Sequence, residues 1–485
     1  MRKAIVIGAG IAGIATSIRL AVKGYEVHVY EGNSYPGGKL TSLEVGDFRF
    51  DAGPSLFTLP NLVTELFDLC GEASVDFFDY DRKDVICNYF WDDRVRYSMP
   101  SSIKEIAKSI SIKFNVDEGK ALKYLNRSKD KYNLTNSIFI EKSLHKVTTY
   151  FSFDTLKAML QSFKLDLFQS LHNTNRKAFN NEKVTQLFDR FATYNGSSPY
   201  KTSGIMSMIP HLEMGLGTYF PKGGMKSITN SLFELAKRQG VKFHFDQIVD
   251  EILVSNKKAV GARMGNIKIN SDLVVSNMDI FSTYHKLLPN LNHPNQILNQ
   301  ERSSSALIFY WGIKGIHPEL DLHNILFSND YEGEFDHIFE KKEIHKDPTV
   351  YINISSKYNA SDAPANCENW FVMINTPGDF GQDWDVLIAT AKENVLRKIT
   401  KTLKIDVASL ILEESVLDPR LIASRTQSHQ GSLYGTSSNN RYSAFYRHPN
   451  FSKEIKDLYF VGGSVHPGGG IPLCLNSAKI VSNLI

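Results

Sequence analysis

The residues of this chain best suited to act together lie within its first 55 positions. Gly8-Ala9-Gly10-Ile11-Ala12-Gly13 follows a short apolar run, Ala4–Ile7, and Glu31 closes a second run, Val27–Tyr30. Pro36-Gly37-Gly38-Lys39 and Asp51-Ala52-Gly53-Pro54-Ser55 come next. These residue types hold phosphate and sugar. Gly8 permits a tight turn, Gly10 lets the backbone approach a pyrophosphate, and Gly13 lets a helix pack closely on a strand. A helix starting at Ile11 would turn its free N–H groups and partial positive charge toward phosphate. The Glu31 carboxylate can accept hydrogen bonds from both hydroxyls of a ribose. Glycine-rich turns without a ligand are common, but here a strand precedes, a helix follows and an acid stands at the right distance. The pair Gly37-Gly38 allows a second close backbone approach, which favours FAD over the smaller NAD; taken alone it reads equally as a plain loop.

The elements that must position these residues can be read from periodicity. The first helix is expected to run to about Lys23 and stop at Gly24. A loop at Tyr219–Met225 opens another helix, closed at Gly240, and Val241–Phe245 follows as a strand. Ile248–Val254, Val260–Met264 and Asn266–Ile269 read as an antiparallel meander, and Leu273–Asn277 as a buried strand returning to a parallel sheet. The last strand, Leu458–Val461, runs into Gly462-Gly463-Ser464-Val465-His466-Pro467-Gly468-Gly469-Gly470-Ile471-Pro472 and a terminal helix. Pro472 suits its first turn, where no N–H is needed. Between these segments Ala306–Trp311, Val350–Ile354 and Phe371–Asn375 read as strands and Val386–Leu403 as a helix.

The expected fold class is mixed α/β, with a Rossmann-like FAD-binding domain built from discontinuous segments 1–78, 215–290 and 425–485. Residues 79–100, 191–214 and 291–424 form a mixed-sheet substrate domain. Residues 101–190 form a helical basic region suited to membrane contact. That region holds sixteen Lys and Arg against nine Asp and Glu, whereas the whole chain carries only +3. The small total argues against nucleic acid as a partner. Phe153, Leu156, Leu160, Phe163, Leu167 and Leu171 fall on one helical face flanked by Lys157 and Lys164. Such a face either packs on a core or lies in a membrane interface.

The 485 residues suffice for two or three domains, and the 42% hydrophobic content is that of a globular chain. Four cysteines with neither CxxC nor zinc-ligand spacing read as reduced thiols of a cytosolic protein, with no metal site. Met1-Arg2-Lys3 before an apolar run could open a signal peptide, but the glycine spacing explains that run better. No run of 18 apolar residues is present, so no transmembrane helix is expected.

With these residues in view, the chain resembles the phytoene-desaturase-type carotenoid flavoenzymes of the amine-oxidase-like FAD group. The resemblance rests on Gly8–Gly13, Glu31 through Lys39, Asp51–Ser55, Gly217–Met225, Asp272–Asn277 and Leu458–Lys479. Within the group, Ser303–Gly312, Glu368–Asn375, Gly431–Gly435 and Gly469–Leu475 are similar to the hydroxycarotenoid 3,4-desaturases. The resemblance implies non-covalent FAD held by Gly8, Gly10, Ile11, Ala12, Gly13, Gly37, Gly38 and Lys39 around the phosphates and by Glu31 at the adenosine ribose. Val249 would meet the adenine edge. Gly53, Pro54, Ser55, Gly462, Gly463, Gly470 and Ile471 would complete the cradle, the last two at the flavin ring.

The implied reaction is dehydrogenation of a polyene C–C single bond, here C3–C4 of a 1-hydroxycarotenoid. Hydride goes to the flavin and a proton to a weak base, so the flavin carries the chemistry and no triad is expected. Two roles are open for His466, that weak base or a residue ordering its loop. Cys474 is either a flavin attachment or, more in keeping with Leu473 and Leu475, a packed thiol. Tyr310 and Trp311 either line a polyene channel or fill a core. No second glycine motif offers an NADPH site, so reduced flavin would need an external acceptor such as oxygen or a quinone. A membrane-dissolved substrate adds weight to the interfacial reading and places the protein in the cytoplasm, peripherally on the inner membrane face. Phytoene desaturation, carotene isomerisation, amine oxidation and non-catalytic prenyl binding are the alternatives.

Overall fold

The computed structural model describes every residue except 147–148, 150–154, 156–159 and 441–445. The strand Lys3–Ile7 lies at the centre of a five-stranded parallel sheet. Glu26–Tyr30 and then Lys242–His244 flank it on one side, Leu273–Ser276 and then Leu458–Phe460 on the other. Val6 sits opposite both Val29 and Val275, and Val275 opposite Tyr459. Leu273–Ser276 is buried throughout, as a strand covered on both faces must be. The helices Ile11–Val22, Lys226–Arg238 and Ile471–Leu484 share one apolar core with this sheet, through residues such as Ile14, Ile18, Leu232 and Ala478.

A seven-stranded mixed sheet stands beside it. Its order is Ile411–Leu417, Ser305–Lys314, Cys367–Thr376, Val350–Ile354, His323–Leu326, Val85–Phe90, Arg96–Pro100. Its strands pair antiparallel except His323–Leu326 with Val85–Phe90. Side chains alternate between faces along a strand. Leu307, Phe309, Trp311 and Ile313 therefore pack with the helix Trp384–Leu403, while Ala306, Ile308 and Tyr310 face Phe50 and the interior between the sheets. Ser305–Lys314 and Cys367–Thr376 extend beyond their expected ends, and their ladder buries polar Glu368 and Asn369 as well.

Two expectations need correction. The meander is Glu251–Ser255, Lys258–Met264 and Ile267–Asn270. It starts three residues late because Gln247 N–H donates to the Glu31 carbonyl at 2.9 Å, which holds that stretch against the parallel sheet and leaves Ile248 70% exposed. The single face from Phe153 to Leu171 is not formed in its described part. Phe153, Leu156 and Lys157 lie outside the described residues. Beyond them Ser162–Lys164 is one 3-10 turn, Asp166 adopts φ 51°, and a new helix, Leu171–Phe179, starts after Ser170. Lys131 at 2.5 Å and Arg127 at 3.0 Å hold Asp166 in that turn. Leu171 is buried, while Leu160, Phe163 and Phe168 are 72%, 76% and 85% exposed.

Candidate active site

A cavity of about 970 Å³ runs from the carboxyl ends of the parallel strands into the space between the two sheets. Open parallel sheets receive ligands at that end. Ile7 and Tyr30 border it where their strands stop, and Gly462 where the chain leaves the last strand.

The helix Ile11–Val22 opens at Gly10, which has no side chain to cap it, so Ile11 and Ala12 can present their N–H groups to a ligand. Gly8, Gly10, Ile11 and Ala12 border the cavity. Gly13 does not. A methyl there would stand 2.1 Å from the Gly8 carbonyl oxygen, so its role is to bring helix and strand together. The second glycine turn is tied to the first by Gly37 N–H donating to Ala9 O at 2.8 Å, and Gly37 and Gly38 both reach the cavity. Glu31 borders it as well. Its carboxylate accepts from Ala9 N–H at 2.7 Å and from Asn33 N–H and Nδ2 at 2.9 and 2.8 Å. Val249 lies on the adjoining stretch of wall.

Lys39 borders the same cavity, but its ammonium donates to the carbonyls of Ser432 and Leu433 at 2.9 and 3.1 Å. Burial pushes it down to about 8, against the attraction of Asp279. Gly53, Pro54 and Ser55 form the next stretch, and Gly462, Gly463, Gly470 and Ile471 the opposite one. The helix Ile471–Leu484 begins there, with proline in its first turn, and aims its positive end at the cavity.

Asn277, which sequence reasoning placed only as a strand end, ties its own strand end to two of these loops. Its Oδ1 accepts from Gly13 N–H at 2.9 Å, its Nδ2 donates to Val461 O at 3.2 Å, and it borders the cavity. No local pattern marks such a residue, because its partners are 264 and 184 positions away.

Beyond the glycine loops the cavity becomes a mainly apolar chamber, with Ile86, Ile308, Ile325, Met373 and Leu417 on its walls. One stretch is polar, formed by Arg190, Tyr194, Glu213, His323 and Tyr351. Sequence reasoning named none of these five.

His466 is buried and does not border the cavity. Its Nε2 lies 2.8 Å from the Lys142 carbonyl, an arrangement that fits the loop-ordering role. Burial pushes the Cys474 thiol up to about 11, so it remains a neutral packed group. Tyr310 donates to the Ala52 carbonyl at 2.8 Å and Trp311 packs under the long helix, so both are core and neither lines the chamber.

The cradle fits a dinucleotide cofactor of FAD size. It combines a helix start at a glycine, two glycine turns in contact, a carboxylate at a strand end and a second helix start across the cavity. A methyl at Gly53 would lie 1.8 Å from the Lys39 carbonyl oxygen, so those loops close only on glycine.

This fold and cradle define an FAD-dependent oxidoreductase. The sequence pattern of the flavin containing amine oxidoreductases matches residues 11–485, and the chain belongs to that family. Within it, the chain is 55% identical over 485 residues to a 1-hydroxycarotenoid 3,4-desaturase of Flavobacterium sp. (strain P99-3), covering 100% of this chain and 99% of that one. It is 29% identical to a 4,4'-diapophytoene desaturase (4,4'-diaponeurosporene-forming) of Staphylococcus aureus (strain Newman), over 99% and 97% of the two chains. In fold it is similar to an oxidoreductase from Methanosarcina mazei, with a TM-score of 0.64, 16% identity and coverage of 99% and 100%.

Proposed function

We propose that this protein is an FAD-dependent carotenoid desaturase that oxidises the C3–C4 single bond of a 1-hydroxycarotenoid. The observation that carries the reading is one continuous cavity, a nucleotide cradle at one end and a mainly apolar chamber at the other. Full-length similarity to a desaturase of that specificity supports it.

We assign the cradle to segments 1–78, 215–290 and 425–485, the chamber to 79–100, 191–214 and 291–424, and membrane contact to 101–190. Gly8, Gly10, Ile11, Ala12, Gly37, Gly38 and Lys39 would surround the phosphates, with Gly13 packed behind them. Glu31 would hold the ribose and Val249 the adenine edge. Gly53, Pro54, Ser55, Gly462, Gly463, Gly470 and Ile471 would hold the flavin half. Bound FAD supplies the two-electron acceptor for the hydride. The chain's own part is orientation. The chamber excludes water from the polyene, and the start of the helix Ile471–Leu484 favours negative charge at the flavin end. The cation developing on the substrate spreads along the polyene, so a weak base is enough for the proton.

A bilayer-dissolved substrate calls for a membrane-facing surface, and exposed Leu160, Phe163 and Phe168 beside Lys164 offer one. Among the described residues no helix is long and apolar enough to cross a membrane, so contact would be peripheral. Reduced flavin would pass its electrons to an external acceptor such as oxygen or a quinone.

The test is anaerobic mixing of FAD-loaded protein with carotenoids in liposomes, followed by flavin bleaching and product spectra. Bleaching with a red-shifted product for a 1-hydroxycarotenoid and not for phytoene is expected. Bleaching by phytoene would reassign the protein to phytoene desaturation, and bleaching by no carotenoid would reject a desaturase.

A further inference from the structure

The polar stretch of the chamber wall contains buried nitrogens that have no hydrogen-bond partner among the described residues. His323 is 4% exposed, on a strand where it stands opposite Asn353. Its Nδ1 lies 2.7 Å from Tyr351 Oη and 3.3 Å from Asn353 Nδ2. Asn353 Nδ2 also donates to the Leu322 carbonyl at 2.9 Å, which identifies it as the amide nitrogen. An amide nitrogen only donates, so Nδ1 of His323 accepts. Burial, followed by the nearby charges of Arg190 and Lys83, pushes the ring down to about 3 and keeps it neutral. The single ring proton therefore sits on Nε2, which has no partner among the described residues. Arg190 repeats the pattern. Its Nη2 pairs with Glu213 and its Nη1 lies 3.3 Å from Tyr194 Oη, yet its buried Nε has no partner among the described residues. Buried polar groups are nearly always satisfied, and His323 and Arg190 both border the cavity while each keeps a nitrogen without a partner among the described residues, an arrangement that an acceptor brought by a ligand would complete.

We propose that His323 is a specificity-determining residue, whose Nε2–H donates to the C1 hydroxyl oxygen of the polyene on the wall it shares with Arg190. This rests on the desaturase reading and adds to it how the hydroxyl is read. The placement suits the chemistry. Only C1 and C2 separate that oxygen from the C3–C4 bond, so its partner must lie close to the flavin end of the cavity. His323 is joined to that end through Tyr351 Oη, which is 2.8 Å from Ser55 Oγ on the Gly53–Ser55 loop. A hydrogen bond at C1 would fix how far the polyene slides in, and so which bond meets the flavin. A polyene without the hydroxyl would leave the donors open. Sites built on a hydroxyl hydrogen bond reject analogues that lack it by large factors, whereas apolar pockets discriminate weakly.

The test compares a 1-hydroxylated polyene with the same polyene lacking the hydroxyl, in liposomes, for the wild-type holoenzyme, His323→Leu, His323→Gln and Tyr351→Phe. Two readouts are taken: the ratio of kcat/KM from anaerobic flavin reduction, and the ratio of Kd with the flavin already reduced, where no turnover occurs. The expected result is that His323→Leu lowers both ratios by about 10²-fold while retaining the FAD absorption spectrum. His323→Gln, which restores a donor, should recover part of the loss, and Tyr351→Phe, which frees the Nδ1 lock, should give an intermediate value. Unchanged ratios in His323→Leu, with a discriminating wild type, would overturn this inference alone. A wild type that treats both polyenes alike would overturn the substrate reading and this inference with it. If His323→Leu does not hold FAD, the ratios of the other two variants decide in the same way.

Discussion

Asn277 carries more of the cradle than its size suggests. One amide group joins the start of the first helix to the end of the last strand, at 2.9 and 3.2 Å. Replacing it by alanine leaves the Gly13 N–H and the Val461 carbonyl without partners beside the cofactor, each a loss of about 1–3 kcal/mol. Asn277→Ala is expected to weaken FAD binding about ten- to a hundredfold, read from fluorescence quenching during a titration. Affinity equal to wild type would show that the backbone holds the loops unaided. The glycines around Asn277 were legible in the sequence because steric limits on the backbone admit almost nothing else. Asn277 was not, and neither were Arg190, Glu213 or His323, because a polar residue takes its role from partners that only the folded chain brings near it.

The elements show the same divide. Strands whose apolar residues pack on both faces, such as Ser305–Lys314 and Leu273–Ser276, announce themselves by composition. His323–Leu326 does not, since half of it is polar and all of it is buried. Its pattern was given up to the chamber wall, where chemistry replaces packing. The helical face expected from Phe153 to Leu171 is interrupted in its described part for another local reason: the ion pairs at Asp166 favour a left-handed turn that periodicity cannot register. Where helix meets strand, the tolerance is small. Gly13→Ala forces the helix Ile11–Val22 off the first strand and should cost about 1–3 kcal/mol, together with FAD affinity. Urea unfolding with and without FAD measures both. A variant as stable as wild type, with normal affinity, would mean that the 2.1 Å clash relaxes freely.

At the scale of the whole molecule, membrane contact is the property most open to measurement. Leu160, Phe163 and Phe168 stand out from the surface within nine residues, beside exposed Lys164. Each phenylalanine transferred from water to an apolar phase gains about 1.5–3 kcal/mol. The double variant Phe163→Asp/Phe168→Asp is expected to lower the fraction sedimenting with anionic liposomes by at least about tenfold, while dehydrogenation of a detergent-solubilised carotenoid persists. Undiminished sedimentation would place the contact elsewhere. The sequence foretold the basic character of this region but not which apolar residues face outward, since that depends on the turn at Asp166.

The order of strands in the parallel sheet also governs how the protein is made. Lys3–Ile7 is made hundreds of residues before its neighbour Leu273–Ser276, and Leu458–Phe460 comes later still. At about 5–20 residues per second, synthesis from the first of these strands to the last takes on the order of a minute. For most of that time the nascent chain carries a glycine loop and an apolar strand with no finished sheet to join. The loop after Leu458–Phe460 and the helix Ile471–Leu484 emerge after all five strands, so the cradle is complete only once they are made. Chaperones that shield nascent chains would then determine how much active protein a cell obtains.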